Sequence, residues 1–134
     1  MIKEAKLGEF VTGTKNESLD SLAKKMQASG LRNIYIIDEK KKPIGVVSIL
    51  DFNNKIIAQN KNPKGIKAEE VMESPVWTID ANESVRDAYY KMIELNRFAI
   101  PIIEKGKIIG ILSLNEALRL MVEKKRQENA GGNK

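Results

Sequence analysis

The chain repeats itself. A run GVVSILD at Gly45–Asp51 returns as GILSLNE at Gly110–Glu116, each with a glycine first, a serine three residues on and a carboxylate six residues on. Upstream the match holds at an offset of 66: Thr12 falls on Thr78, Asn16-Glu17-Ser18 on Asn82-Glu83-Ser84, Met26 on Met92, and Ile34, Ile36 and Ile37 on Ile100, Ile102 and Ile103. From Ile44-Gly45 onward the offset is 65. The slip lies between Asp38 and Pro43, where DEKKKP stands against the shorter EKGK. A hairpin turn absorbs such a length change without disturbing its strands. A chain of this kind folds as two like halves. With 134 residues in all, each half buries little alone, so the halves are expected to share a core.

Local patterning gives each half the same plan. Leu19, Leu22, Ala23 and Met26 recur at helical spacing, with Asn16 or Ser18 to cap the start and Gly30 to close the helix. Ile34–Ile37 and Ile44–Ile49 read as a β-hairpin, after which Asp51 caps a helix to about Gln59 with Phe52, Ile56 and Ile57 on one face. The polar stretch NKNPKG is the linker. Then Ala68–Met72 forms a helical turn, Ser74-Pro75 breaks it, and Val76–Ile79 is extended. Ser84 caps a helix with Val85, Ala88, Tyr89 and Met92 inward, and Ala99–Ile103 pairs with Lys107–Leu112, with Pro101 suited to an edge or bulge. A last helix from Leu114 buries Ala117, Leu118, Met121 and Val122, and Asn129–Lys134 is a disordered tail. The pair Gly106 and Gly110 lacks the GxxxxGK[ST] pattern of a phosphate loop and reads as a turn.

Composition removes several kinds of chemistry. There is no cysteine and no histidine, so no disulfide, no thiolate nucleophile and neither the usual zinc ligand nor the usual general base. No nucleophile, base and orienting group stand together, and the chain is not expected to be an enzyme. The net charge of +5 comes from interspersed lysine and glutamate, a solvated surface without the arginine-rich or aromatic-basic runs of a nucleic-acid binder. The start MIKEAKLGEF has no apolar signal region, and no run approaches the roughly 18 residues of a membrane span. A cytoplasmic protein is expected.

Two copies of strand, helix, hairpin and helix, each with an IYII or IPII strand followed by G-apolar-x-S-x-x-[D/E], resemble the cystathionine-β-synthase (CBS) domain, and two in tandem resemble a Bateman module. The likeness covers about residues 7 to 122, and ESVRDAYYKM, IPII and GKIIGILSLNEAL are its most specific part. It implies an α/β fold of two pseudo-symmetric β-α-β-β-α repeats packed together as one module: repeat one at 7–59, a linker at 60–67, repeat two at 68–122, and a helix end and tail at 123–134. It also implies a non-catalytic sensor that binds an adenosine-containing ligand, such as AMP, ADP, ATP or S-adenosylmethionine, in clefts between the repeats. A homodimer acting on a protein effector in trans is implied as well.

Residue by residue, the resemblance gives Asp51 the two ribose hydroxyls, Ser48 the ribose or phosphate, and Val46 the adenine. Trp77 and Met72 complete the adenine slot, and the phosphate position falls on Arg32 in the first repeat and Phe98 in the second. A weaker second site would use Ile111, Ser113, Asn115 and Glu116 with Val11 and Lys6, the longer glutamate standing where aspartate is usual. Each has a plainer reading: Asp51 as a helix cap, Ser48 satisfying backbone, Trp77 in the core, Arg32 on the surface. Two other functions stay open. Glu116, Leu50 and Phe98 suit an assembly module with vestigial clefts, and the lysine-rich linker and last helix suit a nucleic-acid binder.

Overall fold

The computed structural model describes residues 1–132 as a mixed α/β fold with two three-stranded sheets, each in its own compact unit. One unit is Phe10–Val76; the other joins Met1–Glu9 to the chain from Trp77 onward. Each buries a hydrophobic cluster of its own.

In the unit Phe10–Val76, β1 (Thr12–Gly13) leads to α1 (Leu19–Ser29), β2 (Asn33–Ile37), β3 (Pro43–Ser48) and α2 (Ile49–Asp51), which continues as a π-helical stretch over Phe52–Ile57. The Ser18 hydroxyl accepts the Ser21 N–H at 3.2 Å, and Gly30 ends the helix in the left-handed conformation at φ 73°, its N–H donating to the Met26 carbonyl. Leu19, Leu22 and Met26 pack with Ile34, Ile36 and Val47 of the sheet, closed by Ile56, Ala68 and Val71. β1 pairs parallel to β2, and β2 antiparallel to β3.

The other unit repeats this with β4 (Ile79–Asp80), α4 (Val85–Glu94), β5 (Ala99–Glu104), β6 (Lys107–Ser113) and α5 (Leu114–Gly132), after the short α3 (Ala68–Val71) of the first unit. Its hairpin closes through Lys105-Gly106, both at positive φ, and the longer turn at Asp38–Lys42 is held by the Asp38 carboxylate accepting the Lys40 and Lys42 N–H groups. The length slip in the repeat falls in this turn. Pro101 sits in the central strand β5, buried, and leaves a local trace. Tyr35, its counterpart, donates its N–H to the Val11 carbonyl at 3.0 Å; proline has no such donor, and the parallel pairing of β4 with β5 starts one residue later than that of β1 with β2.

Both sheets are covered on their outer edge by chain from outside the hairpin. Glu73 exchanges both backbone hydrogen bonds with Val46 of β3, at 2.8 and 3.0 Å, and Gly8 does the same with Ile111 of β6, at 2.7 and 3.1 Å. These crossings explain the glycine that opens each repeated run. A Cβ on Gly45 would lie 2.4 Å from the Met72 sulfur, and one on Gly110 would lie 2.5 Å from the Leu7 Cβ. The glycines are required for close approach, not for a turn.

Several faces differ from the sequence expectation. Ile57 is 71% exposed, because the π-helical stretch turns Ile56 inward and Ile57 out. Among the described residues of α5 only Ala117 is fully buried, while Met121 is half-buried, Leu118 and Val122 face outward, and Ile109 of the hairpin is exposed too. The helix continues through Gly132 where a tail from Asn129 was expected; residues 133 and 134 lie outside the described residues. Among the described residues no helix is long and apolar enough to cross a membrane.

Replacing Gly110 with alanine should cost about 1–3 kcal/mol of stability, because the obstructing atom is a Cβ fixed to backbone. Gly45→Ala should cost less, since the flexible end of Met72 can swing away. Urea midpoints at unchanged slope measure both; equal costs would contradict the account of the crossings.

Candidate functional site

At the end of β3 the chain turns into helix, and the residue that caps the turn is Ser48, not Asp51 as expected. Ser48 has extended backbone, and its hydroxyl accepts the Asp51 N–H at 3.3 Å. Asp51, at the third helical position, reaches back so that its Oδ2 accepts the Ser48 N–H at 2.8 Å and the Ser48 hydroxyl at 3.2 Å. This is a reciprocal capping box with an aspartate in the acidic place. A hydroxyl donates once and accepts twice, so both Ser48 contacts are compatible.

Asp51 is a buried carboxylate, 5% exposed. Burial of a charge demands a partner, and Lys55 one turn later supplies it with Nζ 3.1 Å from Oδ1. The same ammonium lies 2.7 Å from Glu73 Oε1 and 2.7 Å from the Val71 carbonyl. The hydrogen bond to Glu73 holds the Lys55 pKa above its ordinary value against the cost of burial, with Asp51 adding to the rise. Lys55 therefore ties the carboxylate to the segment that crosses β3. That segment also presses Met72 against Gly45 and pairs with Val46.

Asp51, Ser48, Val46 and Met72 are thus gathered along β3 and its crossing segment. Arg32 is exposed, its carbonyl accepting the Ile49 N–H at 3.1 Å at the start of α2. Trp77 and Phe98 belong to the other unit. Trp77 is 50% exposed, so it is not a core residue, and Phe98 is 77% exposed with its carbonyl accepting the Leu114 N–H.

The second carboxylate is held differently. The Ser113 hydroxyl accepts the Glu116 N–H at 3.1 Å, repeating the Ser48 cap. The Glu116 side chain, however, is gripped by Arg119 through Nε at 2.7 Å and Nη2 at 2.9 Å, and it accepts the Lys6 backbone N–H at 2.7 Å. Arg119 also pairs with Glu123 at 2.7 Å. The Arg119 guanidinium pulls the Glu116 carboxyl down to about 2, against burial and with help from the Lys6 N–H. Ile111 is occupied by its bridge to Gly8, Asn115 is exposed on α5, and Val11 lies in the other unit. Glu116 fastens the N-terminal segment to α5.

Lys55 and Arg119 went unnoticed in the sequence, although their spacing of four and three residues from the carboxylates is the helical signal for such pairs. Glu73 carried no local signal, because only the crossing brings it near. A separate cleft of ≈ 440 Å³ opens between Thr14–Asn16 and the turn at Ile37–Lys40; none of the residues above line it.

Comparison with known proteins places this geometry in context. The family model described as the CBS domain matches residues 7–58 and 68–125. An uncharacterised protein of Methanopyrus kandleri, MK0525, is 31% identical over 113 residues, 84% of this chain, which spans 58% of that relative's length. Among solved structures, the CBS domain pair of protein MJ0100, in complex with 5′-methylthioadenosine and S-adenosyl-L-methionine, matches with a TM-score of 0.72 and 26% identity over 92% of this chain and 97% of that one. The cytosolic domain of the Mg²⁺ channel MgtE, solved with ATP, shares the fold with a TM-score of 0.73 at 16% identity, over 89% of this chain and 51% of that one.

A carboxyl lowered on folding contributes stability that is complete above its unfolded value and is lost as pH falls through its folded one. The Glu116 contribution should therefore fade between about 4.5 and about 2. Urea unfolding across this range should show that limb in the wild type and a weaker one in Glu116→Gln. Identical profiles would mean that Arg119 and Lys6 do not hold the carboxylate in solution.

Proposed function

The chain belongs to the CBS domain family, and from that premise we propose that it is a non-catalytic regulatory module that binds an adenosine-containing ligand at the Asp51 end of the unit Phe10–Val76. The observation that carries the reading is a buried carboxylate beside a hydroxyl at a strand-to-helix junction, held partly by a part-exposed lysine. An ionised carboxylate accepts both hydroxyls of a ribose, a pairing stronger than a neutral one. The adenosine compounds bound by the MJ0100 domain pair support the ligand class.

In this reading Ser48 and Arg32 serve the ribose and phosphate end, and Val46 and Met72 serve the base. Phe98 has no group that pairs with a phosphate, and the Glu116 site is the weaker of the two. Binding acts by linkage: a ligand that prefers one state of the module favours any partner that prefers the same state. The partner is a protein effector. The outward apolar residues Leu50 and Ile57 on the helix after the first hairpin, with Leu118 and Val122 on the helix after the second, support a homodimer.

A thermal-shift panel of AMP, ADP, ATP, S-adenosylmethionine and NAD tests the reading. At about a hundred times its dissociation constant a ligand adds about 2.7 kcal/mol, a rise of a few degrees for a chain of this size. One or more should raise the midpoint, and Asp51→Asn, which keeps an acceptor for the Ser48 N–H, should abolish the rise. No shift with any compound would favour the assembly-module reading instead.

A further inference from the structure

The hydrogen-bond inventory of Asp51 poses a problem for any ligand that offers a vicinal diol. A carboxylate has about four acceptor positions. Oδ2 already takes the Ser48 N–H and the Ser48 hydroxyl, and Oδ1 takes Lys55 at 3.1 Å. One position remains, and the residue is 5% exposed. Two ribose hydroxyls therefore need one present donor to leave. The Ser48 N–H is backbone at a helix start, and its hydroxyl also accepts the Asp51 N–H. Lys55 is the donor that leaves at least cost. It is part-exposed and keeps two other oxygens, Glu73 Oε1 and the Val71 carbonyl, each at 2.7 Å.

We infer that Lys55 is a built-in competitor for the ribose position of Asp51: it holds the carboxylate while the site is empty and gives it up to a ligand diol, so it sets the affinity of the site. The inference rests on the adenosine-site reading and adds the residue that regulates it. Among the described residues the other unit has no such device. There Glu116 is held by a bidentate arginine and a backbone N–H, the residue matching Glu73 on the crossing segment is Gly8, which has no side chain, and the other carboxylate on Arg119 is Glu123 of the same helix, so the cation does not tie Glu116 to the crossing segment. In the unit Phe10–Val76 the same exchange frees the crossing segment from the carboxylate, since Lys55 alone joins the Asp51 side chain to Val71 and Glu73 among the described residues. Ligand occupancy is thereby linked to the segment that ends this unit at Val76.

Calorimetric titration of the full chain with AMP and with adenosine tests this on wild type, Lys55→Met and Lys55→Gln. Both neutral variants should bind both probes about fivefold more tightly than wild type, the upper end of what a part-exposed ion pair withholds. The gain should be alike for AMP and adenosine, because the competition is over the carboxylate and not a phosphate. Binding seen only in the variants also supports the inference. Equal affinities in all three chains overturn it and leave the adenosine-site reading standing. Selective loss of AMP in the variants overturns it too, making Lys55 a phosphate contact. No binding of either probe by any chain, with no shift from the rest of the thermal-shift panel, removes the adenosine-site reading and the inference together. Amide exchange without ligand reads the strap directly: the Glu73 N–H, bonded to the Val46 carbonyl at 2.8 Å, should exchange severalfold faster in Lys55→Met, and an unchanged rate contradicts the link to the crossing segment.

Discussion

The close crossing of a chain segment over the glycine of each repeated run is the constraint on which the rest depends. Without Gly45 and Gly110 neither Met72 nor Leu7 could lie against the sheet, and β3 and β6 would end as open edges with unpaired backbone groups. The same crossings bring Val71 and Glu73 beside Lys55, and the Lys6 N–H beside Glu116. The carboxylate six residues after each glycine is tied to the segment that the glycine admits, through Lys55 for Asp51 and directly by the Lys6 N–H for Glu116. Fold and candidate site are the same piece of geometry, because the run that seats the segment also ends in the charged residue joined to it.

From that shared plan the two copies have diverged through a few side chains. Aspartate closes a capping box in one, while glutamate, one methylene longer, is drawn to an arginine in the other. The cation moves from four residues beyond the carboxylate to three, and from a lysine that shares itself among three oxygens to an arginine that commits both ends of its fork. Pro101 removes a backbone donor that Tyr35 retains. The changes at the carboxylate and its cation give Glu116 a bidentate arginine and a backbone donor, where Asp51 has a single lysine on Oδ1. A regulatory module needs one element that a ligand can shift, and only an interaction weak enough to be displaced can serve.

Much of this was legible in the sequence, and the reasons differ by element. The repeat, its slip at a hairpin turn, the Ser18 and Ser84 caps and the Gly30 stop are carried by the residues themselves, and the structure has each of them. The cap at Ser48 was misassigned because serine and aspartate three residues apart both favour a helix start, and only the reciprocal bonds show which lies outside. The outward turn of Ile57 depends on a π-helical insertion that has no periodic signature, and the exposure of Leu118 and Val122 depends on what the last helix packs against. Glu73 was beyond reach, since its role follows from a pairing with Val46 far away in sequence.

The most direct test of the central claim, that one carboxylate is exchangeable and the other fixed, is the number of high-affinity AMP sites per chain by equilibrium dialysis. The account predicts one, retained in Glu116→Gln and lost in Asp51→Asn. Two per chain, or one that survives Asp51→Asn, would contradict it.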